Sequence, residues 1–257
     1  FIGSGFNLSR DAAPENAILI PTISQALEAG LKSSLLENRM RLNASLFYQT
    51  AKDLQQSRII PGSAFTETIN AGDIESYGAD LNMQFQISQE WQASLGVAYI
   101  RAEIQDLVQA CYLEQTEAQG CTLDTDSNGS ADSQDVSGNT PILTPEYTYN
   151  ASVTYEPSFT LFSALPYATL AYVYQDDVNF TLLNDPLAVQ KGYGLMDATL
   201  GLTSGSGSVD VQIFGKNLLD QYYDINKNPL PDLVGRIFSQ TPRGARPYYG
   251  VKLVIRM

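Results

Sequence analysis

Histidine is absent from this chain, tryptophan occurs once, cysteine twice, and Lys and Arg together number 15 against 28 Asp and Glu. Each scarcity excludes something. Without His, most general-base, triad and zinc chemistries lose their usual group, which disfavours an enzyme. A formal net charge of −13 disfavours partners that present a phosphate backbone, so nucleic acid is not expected as a ligand. No run of eighteen or more strongly apolar residues occurs, which removes the simple transmembrane helix. The nearest case is the uncharged run Ser158 to Tyr174, and its Pro166 and its Tyr, Thr and Val content favour a turn and a strand. The chain opens on Phe1 with no leader, which reads as a processed product or a fragment and leaves the compartment unread.

What is abundant is aromatic: 15 Tyr and 10 Phe, set largely in a period of two. In the last stretch, Pro247, Tyr249, Val251, Leu253, Ile255 and Met257 fall on one side of an extended strand, while Lys252 and Arg256 fall on the other. The clearest case is Tyr77, Ala79, Leu81, Met83, Phe85 and Ile87 against Ser76, Gly78, Asp80, Asn82, Gln84 and Gln86. The same rhythm marks Leu27 to Lys32, Met40 to Gln49, Trp91 to Tyr99, Tyr147 to Glu156, Leu195 to Leu202 and Val209 to Phe214, and a less cleanly phased strand falls near Tyr167 to Gln175. Residues 1 to 25 hold no sustained period and read as a long loop.

Nine strands result, joined alternately by short turns and long loops. Strands of ten to twelve residues exceed the usual five or six. At about 3.3 Å per residue and a tilt of roughly 40°, ten or eleven residues rise about 25 to 28 Å, close to the apolar height of a bilayer. Tyr48, Tyr77, Trp91, Tyr99, Tyr147, Tyr155 and Tyr249 lie near strand ends, where interface girdles belong. The fold class expected is all-β, a transmembrane antiparallel β-barrel. The competing reading is a soluble β-sandwich or lipocalin-like barrel, whose strands also alternate.

The segment Val209 to Tyr223, reading VDVQIFGKNLLDQYY, followed by Arg243 and then Arg246 to Val251, resembles the C-terminal end of TonB-dependent outer-membrane receptors. Upstream, Glu28 to Lys32, Leu46 to Tyr48 with Gln55, and Asn70 to Gly72 running into Ser76 to Asp80 are similar to successive landmarks of that family's barrel. The resemblance covers nearly the whole chain. It implies a barrel of twenty-two strands with an N-terminal plug, energised by the TonB complex, in the Gram-negative outer membrane. Residues 1–257 would be the C-terminal nine or so strands, in contact with outer-membrane lipid and lipopolysaccharide. Short turns and the C-terminus would be periplasmic and long loops extracellular. The final Met257 departs from the family's usual terminal aromatic.

Cys111 and Cys121, whose loop is part of the resemblance, are expected to form a disulfide, with two free thiols as the alternative. Such a bond contributes roughly 3 kcal/mol by chain entropy. In the same loop, Asp124, Asp126, Asn128, Ser130, Asp132 and Asp135 match positions 1, 3, 5, 7, 9 and 12 of a calcium loop, with Gly129 at position 6. The expected cofactor is therefore at most a structural Ca²⁺; the alternative is a solvated acidic loop. Between Arg101 and Lys191 no Lys or Arg occurs, against thirteen Asp and Glu. Arg58, Tyr222, Tyr223, Arg236, Phe238 and Arg243 are the candidate ligand contacts, since Arg holds anions and aromatics stack on rings. The function expected is active import of a scarce small molecule such as a ferric siderophore. The rivals are a passive porin-like channel and a secreted β-rich binding or adhesion protein.

Overall fold

The computed structural model of the protein describes residues 2–6, 17–59, 66–70, 72–125, 127–229 and 237–256. One antiparallel sheet of nine strands holds the chain, and each strand pairs with its predecessor and its successor. The strands are β1 (Ile23–Leu35), β2 (Met40–Lys52), β3 (Asp73–Gln86), β4 (Trp91–Gln105), β5 (Tyr147–Tyr155), β6 (Ala164–Gln175), β7 (Tyr193–Ser204), β8 (Val209–Lys216) and β9 (Tyr248–Ile255). All nine stand where the alternation places them.

Register keeps the two faces chemically separate across the sheet. Leu31 faces Ala44, Ala44 faces Leu81, and Leu81 faces Val97. Further along, Leu200 faces Ala168 and Ile213, and Ile213 faces Val251. A slip of one residue at any pair would move a whole row of side chains to the wrong face, so the register is fixed by the pattern itself. Aromatic rings gather on the apolar face near both strand ends. Trp91 stacks on Tyr155 with centroids 4.5 Å apart, and Tyr99 meets Tyr147 at 5.0 Å.

Several boundaries differ from the sequence expectation: β1 begins at Ile23, inside the stretch expected as loop, β3 begins at Asp73 rather than Ser76, and β4 runs on past Tyr99 to Gln105. β6 begins at Ala164 rather than near Tyr167, with Pro166 inside it. Pro166 is tolerated because β5 pairs with β6 only from Ala168 onward, so one side of β6 needs no amide donor there. β9 begins at Tyr248, since Arg243–Ala245 form a single 3-10 turn just before it; Met257 lies outside the described residues. The long connections are not open coil either. They carry short antiparallel ribbons, pairing Gly5–Phe6 with Ile18–Leu19, Gln55–Ile59 with Thr66–Asn70, Val108–Ala110 with Ser133–Asp135, Val178–Asn179 with Val189–Gln190, and Asn226–Pro229 with Ile237–Gln240. Two to five residues are too few for a period of two to be read, yet each ribbon gives backbone groups their partners.

A single sheet buries nothing against itself, and the one hydrophobic cluster among the described residues lies off its end. Ile69, Ile104, Leu107 and Val136 are buried together, with Ile74, Leu182 and Leu183 packed beside them. Most of these residues belong to the long loops, so the loops form a packed layer over one edge of the sheet. Strands β1 and β9 end the strand order, and neither pairs with a further strand among the described residues. A long exposed edge is a template for another strand.

Candidate functional site

The start of β7, the end of β8 and the start of β9 meet on the polar face at the long-loop edge. Asp197 of β7 pairs with Lys216 of β8 at 2.7 Å and accepts the Asn217 N–H at 3.0 Å. Asn217 has φ of 51°, a left-handed conformation that Asn tolerates better than most side chains. Its amide is 2% exposed and fully used. Nδ2 donates to the carbonyls of Gln221 (2.8 Å) and Gly244 (3.0 Å), and Oδ1 accepts the Gln221 N–H (2.9 Å). The chain leaving β8 is thereby tied to the turn that feeds β9. This is what the stretch from Gly215 to Tyr223 encodes.

Around this knot sits an aromatic cluster. Tyr223 stacks on Tyr193 at 4.3 Å, with ring planes 10° apart. The Arg243 guanidinium lies 5.8 Å from the Tyr248 ring centroid, and Phe214 meets Tyr248 edge-on at 6.2 Å. Gly244 lets the Tyr223 hydroxyl approach, since a Cβ there would sit 3.0 Å from it. Burial raises the Tyr223 phenol above its ordinary value, and the nearby Tyr248 and Asp197 add to the effect. Aromatic faces, a donor and a cation are the groups that hold a planar or anionic ligand.

The six candidate contacts divide. Tyr223 and Arg243 join the cluster. Tyr222 turns elsewhere, its hydroxyl bonded to Asp224 (3.0 Å) and Thr241 (2.7 Å) and its ring 5.7 Å from the Arg246 guanidinium, so it buttresses the loop. Phe238 is exposed on the ribbon of Asn226–Pro229 and Ile237–Gln240. Arg58 lies in the ribbon strand Gln55–Ile59, paired through its backbone with Glu67, and its side chain lies outside the described residues, as does Arg236. Tyr193, Asp197, Lys216, Asn217 and Tyr248 were not singled out from sequence. A signal existed for Tyr193 and Tyr248: each is an aromatic at the polar parity of a strand's first residue. A polar concavity of about 470 Å³ lies elsewhere on the same face, lined by Lys32, Arg41, Asn43, Asn82, Gln84 and Asn150 among others.

Cys111 and Cys121 are joined in a disulfide with Cα atoms 5.6 Å apart. In the acidic loop, Asp124 accepts the N–H groups of Asn128 (3.1 Å) and Gly129 (2.8 Å), and Asn128 accepts that of Ser130 (2.8 Å). Asp132 accepts from Thr125, and Asp135 accepts the Ser137 N–H at 2.9 Å. Among the described residues no three acidic, Cys or His side chains gather as metal ligands, and Asp126 lies outside the described residues.

Neighbouring loops interlock. Asn139 donates to the Leu182 carbonyl, Asp224 N–H to Gln190, and Lys227 to the Val189 carbonyl, at 2.8 to 3.0 Å. Within the loop after β6, burial alone would push the Asp177 carboxyl up, yet Lys191 (2.7 Å) and the Gly192 N–H (2.6 Å) hold it below the ordinary Asp value. A depressed folded value means that this contribution is present above the unfolded value and is lost as pH falls through the folded one. The protection of the Gly192 amide, its exchange rate relative to the intrinsic rate at each pH, is expected to fall over that acid range. Protection constant through the range would show that the carboxylate does not hold the loop.

A meander of nine long strands with one apolar face, one polar face and every long loop on one edge is the wall of a β-barrel. The model of the TonB dependent receptor-like β-barrel family matches residues 3–218. Over 96 residues the chain is 28% identical to the probable TonB-dependent siderophore receptor PiuA of Acinetobacter baumannii, covering 37% of this chain and 12% of that protein. The solved structure of PiuA aligns over 92% of this chain and 29% of its own, with TM-score 0.63 and 20% identity. The ferric yersiniabactin uptake receptor FyuA of Yersinia pestis aligns over 98% of this chain and 33% of its own, with TM-score 0.72 and 19% identity. The copper transporter OprC aligns over 92% of this chain and 31% of its own, with TM-score 0.61 and 13% identity. The chain belongs to the TonB-dependent receptor β-barrel family, a family of Gram-negative outer-membrane transporters and not of enzymes. It spans about a third of the length of these solved receptors.

Proposed function

We propose that these residues are the C-terminal part of a TonB-energised outer-membrane receptor that imports a ferric siderophore. The long-loop edge is extracellular, the short turns are periplasmic, the apolar face meets lipid and the polar face lines the lumen. Among the described residues the outer edges of β1 and β9 have no strand beside them, which supports the larger barrel, because lipid offers an open edge no hydrogen-bond partners. The observation that carries the ligand is the cluster of Tyr193, Tyr223, Tyr248 and Arg243 on the polar face. It suits an anionic, ring-bearing chelate better than a bare metal ion, since these 257 residues hold no His and the two Cys are bonded to each other.

In the intact receptor, Tyr223→Ala combined with Arg243→Ala is expected to weaken binding of ferric catecholate chelates by roughly tenfold, about 1.4 kcal/mol. Titration by intrinsic fluorescence checks it, with an undisturbed barrel confirmed on a heat-modifiability gel. Unchanged affinity for every chelate that the parent binds would reject the cluster as the site. Uptake that persists without TonB would favour the passive channel.

A structural Ca²⁺ in residues 124–135 is a further proposal, supported by the way Asp124 and Asn128 curl the loop through their side-chain oxygens. Millimolar Ca²⁺ is expected to slow proteolysis of that loop, and Asp124→Ala to abolish the effect. No calorimetric heat with millimolar Ca²⁺ would end it.

A further inference from the structure

The turn between β5 and β6 is the longest of the four short turns, and among the described residues it alone presents aromatic side chains at such a turn. The others read Leu36–Arg39, Ile87–Glu90 and Gly205–Ser208 and are polar or small apart from their first residues. Here Phe159 is 60%, Leu161 43% and Phe162 90% exposed. Leu161 and Ala164 exchange backbone hydrogen bonds around a two-residue tip, Phe162-Ser163, with φ of 52° and 63°. Such a tip favours Gly or Asn. A Phe held there places a large apolar side chain at the outermost point of the hairpin.

The turn is anchored rather than loose. The Ser158 N–H donates to the Glu90 carboxylate at 2.9 Å, the Ser158 hydroxyl donates to the same oxygen, and the Glu156 N–H donates to the Glu90 carbonyl at 2.8 Å. The neighbouring turn thus fixes where Phe159 and Phe162 stand. The apolar face also runs into this turn without a break. Tyr155, stacked on Trp91, closes β5 on that face, and Leu161 bridges Ala164, whose parity is that of Ala168 and Leu170.

We infer that the turn at residues 156–163 is an interfacial anchor, with Phe159, Leu161 and Phe162 seated in the periplasmic leaflet of the outer membrane. The inference rests on the lipid-facing assignment of the apolar face. Its occupant is lipid because the exposed aromatics continue the belt that the strands already present to lipid, and an aromatic tip beside a Trp–Tyr girdle is suited to the headgroup boundary. A periplasmic protein bound at the same tip is the competing occupant.

The test uses the intact receptor in phosphatidylethanolamine–phosphatidylglycerol vesicles, with an environment-sensitive fluorophore on Phe162→Cys, on Ser206→Cys and on Leu200→Cys. At position 162, quenching by a shallow nitroxide lipid is expected to be roughly threefold stronger than at 206, and aqueous iodide quenching correspondingly weaker. Iodide quenching at 162 equal to that at 206, with position 200 quenched by lipid, would overturn the anchor alone. A label at 162 shielded from both quenchers would overturn it in favour of a protein neighbour. Position 200 unquenched by lipid would instead overturn the membrane assignment itself. Phe162→Ser with Phe159→Ser provides a second readout: its thermal midpoint should fall in vesicles and hold in detergent micelles, and equal loss in both would reject the lipid contact.

Discussion

Asn217→Ala is expected to destabilise the receptor by about 3 to 5 kcal/mol, a large effect for a single substitution outside an apolar core. The change removes two donated hydrogen bonds and one accepted bond at a site 2% exposed to solvent. It leaves the carbonyls of Gln221 and Gly244 and the Gln221 N–H seeking partners, each at a cost of about 1 to 3 kcal/mol if water cannot reach it. It also forces an alanine into a left-handed conformation, at about 1 kcal/mol more. Asn217→Gly separates the two causes, because it accepts the φ and loses only the bonds. Asn217→Asp keeps the acceptor but sets a second carboxylate near Asp197, so it should do no better than Ala. The melting of heat-modifiable mobility, with hydrogen exchange over residues 217–223, measures all three. An alanine variant within about 0.5 kcal/mol of the parent would show that the knot is incidental.

The second large effect belongs to the apolar face. Leu200→Arg, in the middle of β7 with Ala168 and Ile213 beside it, is expected to cost about 2 to 4 kcal/mol. Thr199→Arg, one residue away on the polar face, should cost about 1 kcal/mol or less. A buried protein core would also reject Leu200→Arg, so a third position is needed. Val209→Arg lies at the strand's end on the same face as Leu200, and a bilayer tolerates charge there at about 0 to 1 kcal/mol. Urea titration of the receptor folded into vesicles gives the three values. A penalty equal at Leu200 and Val209 would argue against lipid and for a protein partner over that face.

The candidate site was only partly legible in advance. Tyr223 and Arg243 were singled out by residue type and by their place on a long loop, as an aromatic and a cation. Their partners Tyr193 and Tyr248 are about 30 and 25 positions from Tyr223 along the chain, and no local period links them. Tyr222 shows the limit of choosing by residue type. It adjoins Tyr223, yet its hydroxyl is committed to Asp224 and Thr241, a difference set by which side of the loop each ring occupies. Asn217 stands in a segment noticed for its resemblance, but the reason for Asn there is a left-handed φ and three bonds, and neither is visible in a string of letters.

Strand number, the apolar face and the alternation of short turns with long loops were determined by the sequence alone. Each follows from a period of two, which is a property of a dozen neighbouring residues. The ribbons inside the long loops, the core of Ile69, Ile104, Leu107 and Val136, and the convergence of β7, β8 and β9 on one cluster were decided only by the tertiary structure. They join residues tens of positions apart. Which of many such pairs meet is set by register and loop closure acting together, not by any local pattern.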